Sequence, residues 1–196
     1  RHDEVLGLEA FCLQGYAQPF PKHFHDYYVL GFVVSGEREL ICNGLNLKLS
    51  PDHLLIFNPR DNHECVSASR APFLHYLGFN ILKKRMEEIS MELTGESCLP
   101  QFKPTVFSDE SACNAFLELH RLIMQRSDVL RKEELFYVLF SRLCGKYTHT
   151  SLQSRPLRSS QIKEACEYLE SHSSETITLD DISQRLSVSK SSLIRS

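Results

Sequence analysis

The sequence predicts an α+β chain in three stretches: strands over residues 8–80, helices over 81–147, and a short all-α helix-turn-helix segment over 160–196. Three observations carry this. Short apolar runs divided by turn residues fill the first stretch. Stripes at i, i+3, i+4, i+7 replace them after residue 81. A polar segment with one proline, THTSLQSRPLRS at 148–159, sets off the last stretch as a linker would.

The strand candidates are FCLQGY, YYVLGFVVSG, RELICNG, LNLKLS, HLLIFNP and FLHYLGFNI. Gly36, Asn43-Gly44, Ser50-Pro51-Asp52 and Asn58-Pro59-Arg60-Asp61-Asn62 separate them. Asn43-Gly44 between two apolar runs is a strong hairpin signal. Several short strands at this spacing predict a barrel or a sandwich. The first helix is predicted over Leu82 to Leu93. A second starts at Ser108 or Asp109, with Cys113, Phe116, Leu117, His120, Ile123 and Met124 on its apolar side. A third runs from about Leu130 to Lys146, with Leu135, Phe136, Leu139, Leu143 and Cys144. These apolar faces are buried either against the barrel or between subunits, and the two can coexist.

At 196 residues, with 42% apolar and 24% charged residues, the chain reads as one moderate globular domain plus part of another. The expected division is a first domain over 1–147, a linker over 148–159 and a partial domain over 160–196. The seven cysteines lack any CxxC spacing, which argues against a zinc site and for thiols in a reducing compartment. No apolar run is long enough for a bilayer and no signal peptide is visible, so the expected location is the cytoplasm, with no membrane partner. The sequence opens on Arg1 rather than Met and closes inside its last predicted helix, so a piece of a longer protein is expected.

That last stretch has its own grammar. Ile162, Ala165, Cys166 and Leu169 make a helical stripe, with Ser159 and Ser160 ahead as possible caps. Thr178 precedes Leu179-Asp180-Asp181, a cap followed by two acids where the helix dipole favours negative charge. Leu179, Ile182 and Leu186 mark the buried face, and Ser187-Val188-Ser189 forms a turn. A third helix begins at Lys190 with Leu193 inward. Lys190, Ser191, Ser192 and Arg195 are then available to phosphates and base edges. An ordinary helical hairpin explains the pattern equally well. Residues 156–196 carry five basic and six acidic groups, so the segment lacks the electrostatic footprint of a complete nucleic-acid reader.

In the strand-rich stretch, His23-Phe24-His25 puts two imidazoles on one face, because strand side chains alternate with period two. His63 follows the Pro59 turn near a strand start. Such histidines can ligate a metal, hydrogen-bond a polar ligand, or simply line a polar barrel mouth. Asp26 is placed either to orient His25 or to sit in solvent.

Two resemblances sharpen this reading. Ile162…Tyr168-Leu169-Glu170, Ile177-Thr178-Leu179-Asp180-Asp181-Ile182-Ser183 and Leu186-Ser187-Val188-Ser189…Leu193-Ile194-Arg195 resemble the first helix-turn-helix of the AraC/XylS family of bacterial transcription regulators. Ser183 stands where that family usually has Ala, and the family's second reader lies outside this sequence. Pro21-Lys22-His23-Phe24-His25-Asp26-Tyr27-Tyr28-Val29…Gly36 and Pro51…Leu54-Leu55-Ile56-Phe57-Asn58-Pro59…His63 resemble a cupin, in the form that serves as the sensor of such regulators. Enzymatic cupins carry a Glu four residues after the second His and a Gly seven further on; here those positions are Val29 and Gly36. Asp52 stands where a Gly often sits.

The resemblance implies a cupin-like β-barrel (jelly roll), followed by helices and a partial helix-turn-helix domain. It implies a ligand-responsive regulator that senses an effector, for example a sugar or related polar metabolite, through His23, His25, Tyr27, His63 and Tyr76. Operator or promoter DNA would meet Lys190, Ser191, Ser192 and Arg195 in the intact protein. Pairing into a homodimer through the helices after the barrel is expected, with no catalytic residue and no cofactor. The alternative is a cupin metalloenzyme, an isomerase or dioxygenase, with a metal on His23, His25 and His63.

Overall fold

A computed structural model describes residues 1–67, 73–149, 152 and 157–194. The strands are β1 (His2–Asp3), β2 (Leu8–Tyr16), β3 (Phe20–His23), β4 (Tyr28–Ser35), β5 (Arg38–Cys42), β6 (Leu45–Leu49), β7 (Leu54–Phe57), β8 (His63–Ser67), β9 (Leu74–Ile81) and β10 (Val106–Phe107). They form two antiparallel sheets, one of six strands ordered β1-β2-β9-β4-β7-β10 and one of four ordered β3-β8-β5-β6. Of these, β1, β3 and β10 are too short to stand out in the sequence. The β5–β6 hairpin turns on Asn43 (φ 49°) and Gly44 (φ 82°), two successive left-handed residues whose twist matches the strands they join.

The six-stranded sheet has two apolar faces. The first six residues of β4, Tyr28 to Val33, are all buried, as are all four of β7. Leu30, Phe32, Ile56 and Phe79 point outward into the core shared with the helices, while Val29, Val33, Leu55 and Phe57 point inward at the second sheet. Gly31 pairs with Gly78 across β4 and β9, on the inward face. A Cβ on Gly31 would stand 1.8 Å from the Tyr76 hydroxyl, and one on Gly78 would stand 2.2 Å from the Phe11 ring. Both glycines therefore give way to aromatic side chains that cross the barrel interior.

Three helices cover the outer face: α1 (Lys83–Thr94), α2 (Glu110–Gln125) and α3 (Val129–Tyr147). Each lies within two residues of its predicted bounds. Of the predicted buried side of α2, Cys113, Phe116, His120 and Ile123 are buried together with Ala112, Ala115, Leu119 and Leu122, whereas Leu117 and Met124 are 37% and 41% exposed. Phe116 sets this rotation: its ring lies 4.6 Å from Phe79 and 5.9 Å from Phe32, so the helix turns the 112-116-119-123 side to the sheet. Aromatic pairs of this kind add roughly 0.5–1.5 kcal/mol beyond the area they bury.

Asp109 locks α2 to α3. Its carboxylate caps α2 by accepting from the Ala112 N–H at 3.0 Å. It also accepts from Arg142 Nε (2.5 Å), Lys146 Nζ (2.8 Å) and the Tyr147 hydroxyl (3.2 Å) at the far end of α3. Burial opposes ionisation here, but the hydrogen bonds from Arg142, Lys146 and Ala112 outweigh it and hold the carboxyl well below the usual carboxylate range.

The last helices are α4 (Ser159–Ser171), α5 (Leu179–Leu186) and α6 (Lys190–Ile194). Neither Ser159 nor Ser160 caps α4; Gln161 Oε1 instead accepts from the Arg158 N–H at 3.1 Å. Thr178 and Asp181 cap α5 reciprocally, the Asp181 N–H to Thr178 Oγ1 at 3.2 Å and the Thr178 N–H to the Asp181 carboxylate at 2.8 Å. Ser189 Oγ accepts from the Ser192 N–H at 3.2 Å, so it caps α6. Leu179, Ile182 and Leu186 are buried as predicted.

Replacing Asp109 with Ala removes the α2 cap and strands three donors, so we expect a loss of about 2 kcal/mol. Asp109→Asn keeps the cap acceptor and should lose less. Urea unfolding followed by circular dichroism measures both.

Candidate functional site

The two inner faces enclose a cavity of about 260 Å³. Its walls are mostly apolar, with Phe11, Phe20, Val29, Leu40, Leu55 and Phe57 among them. Polar groups gather on one side. His23 ends β3 and pairs in register with His63, the first residue of β8. His25 lies two residues beyond β3, yet its ring turns back to the same place. The ring centroids stand 4.3 Å apart for His23–His63, 4.8 Å for His23–His25 and 5.2 Å for His25–His63. Phe57 stacks on His63 at 3.8 Å and Tyr27 stacks on His25 at 4.9 Å, which fixes two of the three rings. Tyr76 lies across the interior above Gly31.

All five residues predicted for the ligand site therefore line one cavity. The sequence reading did not select Phe11, Val29, Leu55 or Asn80. Their signal was the period-two alternation of β2, β4, β7 and β9, which gives the inward set once one member is known. Asp26 does not orient His25: it pairs with Arg60 (3.2 Å) and Lys83 (3.5 Å) at the surface.

His25 and His63 are held neutral near pH 7. Burial lowers His25 to about 4, with further lowering from His63 and His23. Burial also lowers His63, against the opposing hydrogen bond to Asp61. The Nδ1 atoms of His23 and His63 lie 2.6 Å from the Pro21 carbonyl and 2.9 Å from the Asp61 carbonyl. A carbonyl oxygen only accepts, so Nδ1 carries the proton in each ring and Nε2 presents a lone pair. Ligand atoms of all three histidines lie within 4.8 Å of one another. Imidazoles tied at Nδ1 to carbonyls are the usual support of a metal ligand, so this set fits a transition metal as well as a hydrogen-bonding ligand. No carboxylate stands among the residues that line the cavity, and Val29 is one of its apolar walls.

Residues 7–140 match the AraC-like ligand binding domain. The chain belongs to that family. It is 40% identical over 195 residues to the uncharacterized HTH-type transcriptional regulator YbfI of Bacillus subtilis (strain 168), covering 99% of this chain and 70% of that protein. An apo variant of ToxT from Vibrio cholerae strain SCE256 shares the α+β layout over 94% of this chain and 72% of its own, with a TM-score of 0.52 at 13% identity. A cupin domain from an XRE family transcriptional regulator of Enterobacter cloacae aligns over 40% of this chain and 85% of its own, with a TM-score of 0.34 at 22% identity. The chain is thus a transcription regulator of AraC type carrying a ligand-binding domain. No helix among the described residues is long and apolar enough to cross a membrane.

In this AraC-type chain the residues predicted to meet DNA do not all face solvent. Ser191 is 1% exposed and the Lys190 side chain 14% exposed, both turned toward α1 and α3. Ser192 is half-buried, and Arg195 lies outside the described residues.

A methyl group at Gly31 must displace the Tyr76 ring, so Gly31→Ala should cost roughly 1–3 kcal/mol, as overpacked cores do, and should shrink the cavity. Thermal denaturation and small-molecule dye binding report the two effects. The histidines give a pH signature. Unfolded His25 takes up its proton near pH 6.5, while the folded ring resists until about 4. Stability from this group is full above pH 6.5 and is lost as pH falls from 6.5 towards 4. Urea midpoints measured across that window with a chelator present should fall, and His25→Gln should flatten the fall.

Proposed function

We propose that this chain senses a small effector in the barrel cavity and passes its state to DNA contacts made by α5 and α6 in the intact protein. The observation that carries the reading is the cavity itself: a mostly apolar pocket between the two sheets, open on one side, with a few convergent polar groups, inside a family of ligand-binding domains. Ligand pockets have this character, and typically measure roughly 300–1,000 Å³, so this one suits a small ligand.

The lining narrows the effector. The His25 and His63 rings, held neutral by burial, offer no positive charge to a carboxylate or phosphate. His23 and His63 present acceptors at Nε2, while Tyr27 and Tyr76 offer hydroxyls. The surrounding walls are aromatic and aliphatic. An apolar or amphipathic body with one hydroxyl or other donor end fits better than a sugar, whose many hydroxyls would lose water against Phe, Leu and Val. Binding alone does not regulate; the effector must bind one arrangement of the chain more tightly than another.

The second reading is a metal-holding cupin enzyme. The Nδ1–carbonyl ties favour it, because they leave three Nε2 or equivalent lone pairs free for a metal. The absence of a carboxylate from the lining and the regulator relatives weigh against it.

Native mass spectrometry of the purified protein, before and after a chelator, separates the two. A bound organic mass without metal supports sensing. A stoichiometric transition metal that leaves with the chelator, together with turnover, would sink the sensor reading. Once an effector is in hand, His23→Ala and Tyr27→Phe should each weaken it by about 1 kcal/mol or more in calorimetry, with the fold intact by circular dichroism.

A further inference from the structure

The contacts between α6 and the helices outside the barrel point to a second state of the molecule. Ser191 is 1% exposed, and its hydroxyl donates to the Glu92 carbonyl at 2.7 Å. Glu92 is in the last turn of α1, where helix carbonyls lack partners within the helix, so Ser191 satisfies one of them. Lys190 Nζ lies 2.8 Å from Asp180 and 3.8 Å from Glu133, and 6.0 Å from the Tyr137 ring. Glu133, on α3, is 3% exposed and reaches the other way as well. Its Oε2 accepts from the Leu179 N–H at 2.7 Å, at the positive start of α5. One buried carboxylate on α3 thus holds the first turns of both α5 and α6. The apolar face below it, Leu179, Ile182 and Leu186, is continuous with the core that contains Leu135, Phe136 and Leu139.

We propose that the surface formed by Glu92, Glu133 and Tyr137 is an internal docking site for the DNA-reading helix, and that it competes with DNA for Lys190 and Ser191. The inference rests on the reading of α5–α6 as a DNA reader. A recognition helix meets base edges through its first residues. Here those residues are committed: the Ser191 hydroxyl to α1, and the Lys190 charge to Asp180 and Glu133. The docked form cannot offer either to a duplex without breaking these contacts. Docking and DNA binding are therefore linked equilibria, and any change that weakens docking raises DNA affinity by the fraction of molecules it releases.

The test uses the full-length protein and a fluorescein-labelled duplex carrying the upstream region of its own gene, with fluorescence anisotropy at fixed salt. Glu133→Ala removes the shared acceptor of Leu179 N–H and Lys190, Glu133 is not itself among the residues expected to contact DNA, and Thr178 and Asp181 still cap α5. It should bind the duplex at least fivefold more tightly than the unaltered protein, and Glu133→Gln, which keeps an acceptor without the charge, should fall between them. Equal affinity for a folded Glu133→Ala would overturn docking while leaving the reader reading standing. If neither protein binds this duplex or a nonspecific one even at low salt, the reader reading itself falls. Hydrogen exchange on the unaltered protein covers the case in which Glu133→Ala does not fold. Saturating duplex should speed exchange in the last turn of α1, and unchanged protection there would overturn the proposal.

Discussion

The rest of the structure depends on one constraint: the six-stranded sheet is apolar on both faces. A strand such as β4, with six consecutive buried residues, needs cover on each side. The outer cover is α1–α3, drawn in by Phe116 on Phe79 and tied end to end by Asp109. The inner cover is the smaller sheet, which cannot fill the space completely. Gly31 and Gly78 admit Tyr76 and Phe11 instead of being filled by side chains of their own, and the volume left over is the cavity. The cavity is what remains when a sheet with the Gly31–Gly78 pair at its centre is packed against the smaller sheet by aromatic rings.

That origin explains the chemistry of the site. Burial disfavours charge on His25 and His63, and main-chain carbonyls pin the Nδ1 protons of His23 and His63. A neutral cluster recognises by lone pair and shape. On the proposed sensing role, such a cluster gives simple anions little to hold and leaves selectivity to the aromatic walls.

Much of this was legible in the sequence. Period-two runs gave the main strands, Asn43-Gly44 gave the hairpin, and His23, His25, Tyr27, His63 and Tyr76 were placed in one site before any coordinates. What was not legible had physical reasons. The two-residue strands β1 and β10 exist only by pairing with β2 and β7, so no local pattern marks them. The rotation of α2 was set by rings on a sheet distant in sequence, and its stripe of Leu117 and Met124 is compatible with either face. The position of Lys190 was hidden for the same reason: helix periodicity says which side of α6 is polar, not whether Glu133, more than fifty residues earlier, is waiting for it.

The charge balance of the last stretch takes on a different meaning in this light. Six acids against five bases reads, in isolation, as a weak nucleic-acid binder. In the folded chain some of those acids are already spent on the bases: Asp180 on Lys190, Glu164 on Arg185, Glu167 on Lys163. Two of these pairs lie at the surface, where each is worth little and is screened by salt. The Lys190 pair is different, because Glu133 and the Tyr137 ring shield it from water. On the proposed docking, the surface cations are released at almost no cost, whereas Lys190 also gives up its contact with Glu133 as the reader leaves α3. In the proposed docked form, the reader therefore needs no strong electrostatic repulsion of DNA to stay silent. It is enough that its most useful cation and its first hydroxyl are engaged elsewhere in the same chain.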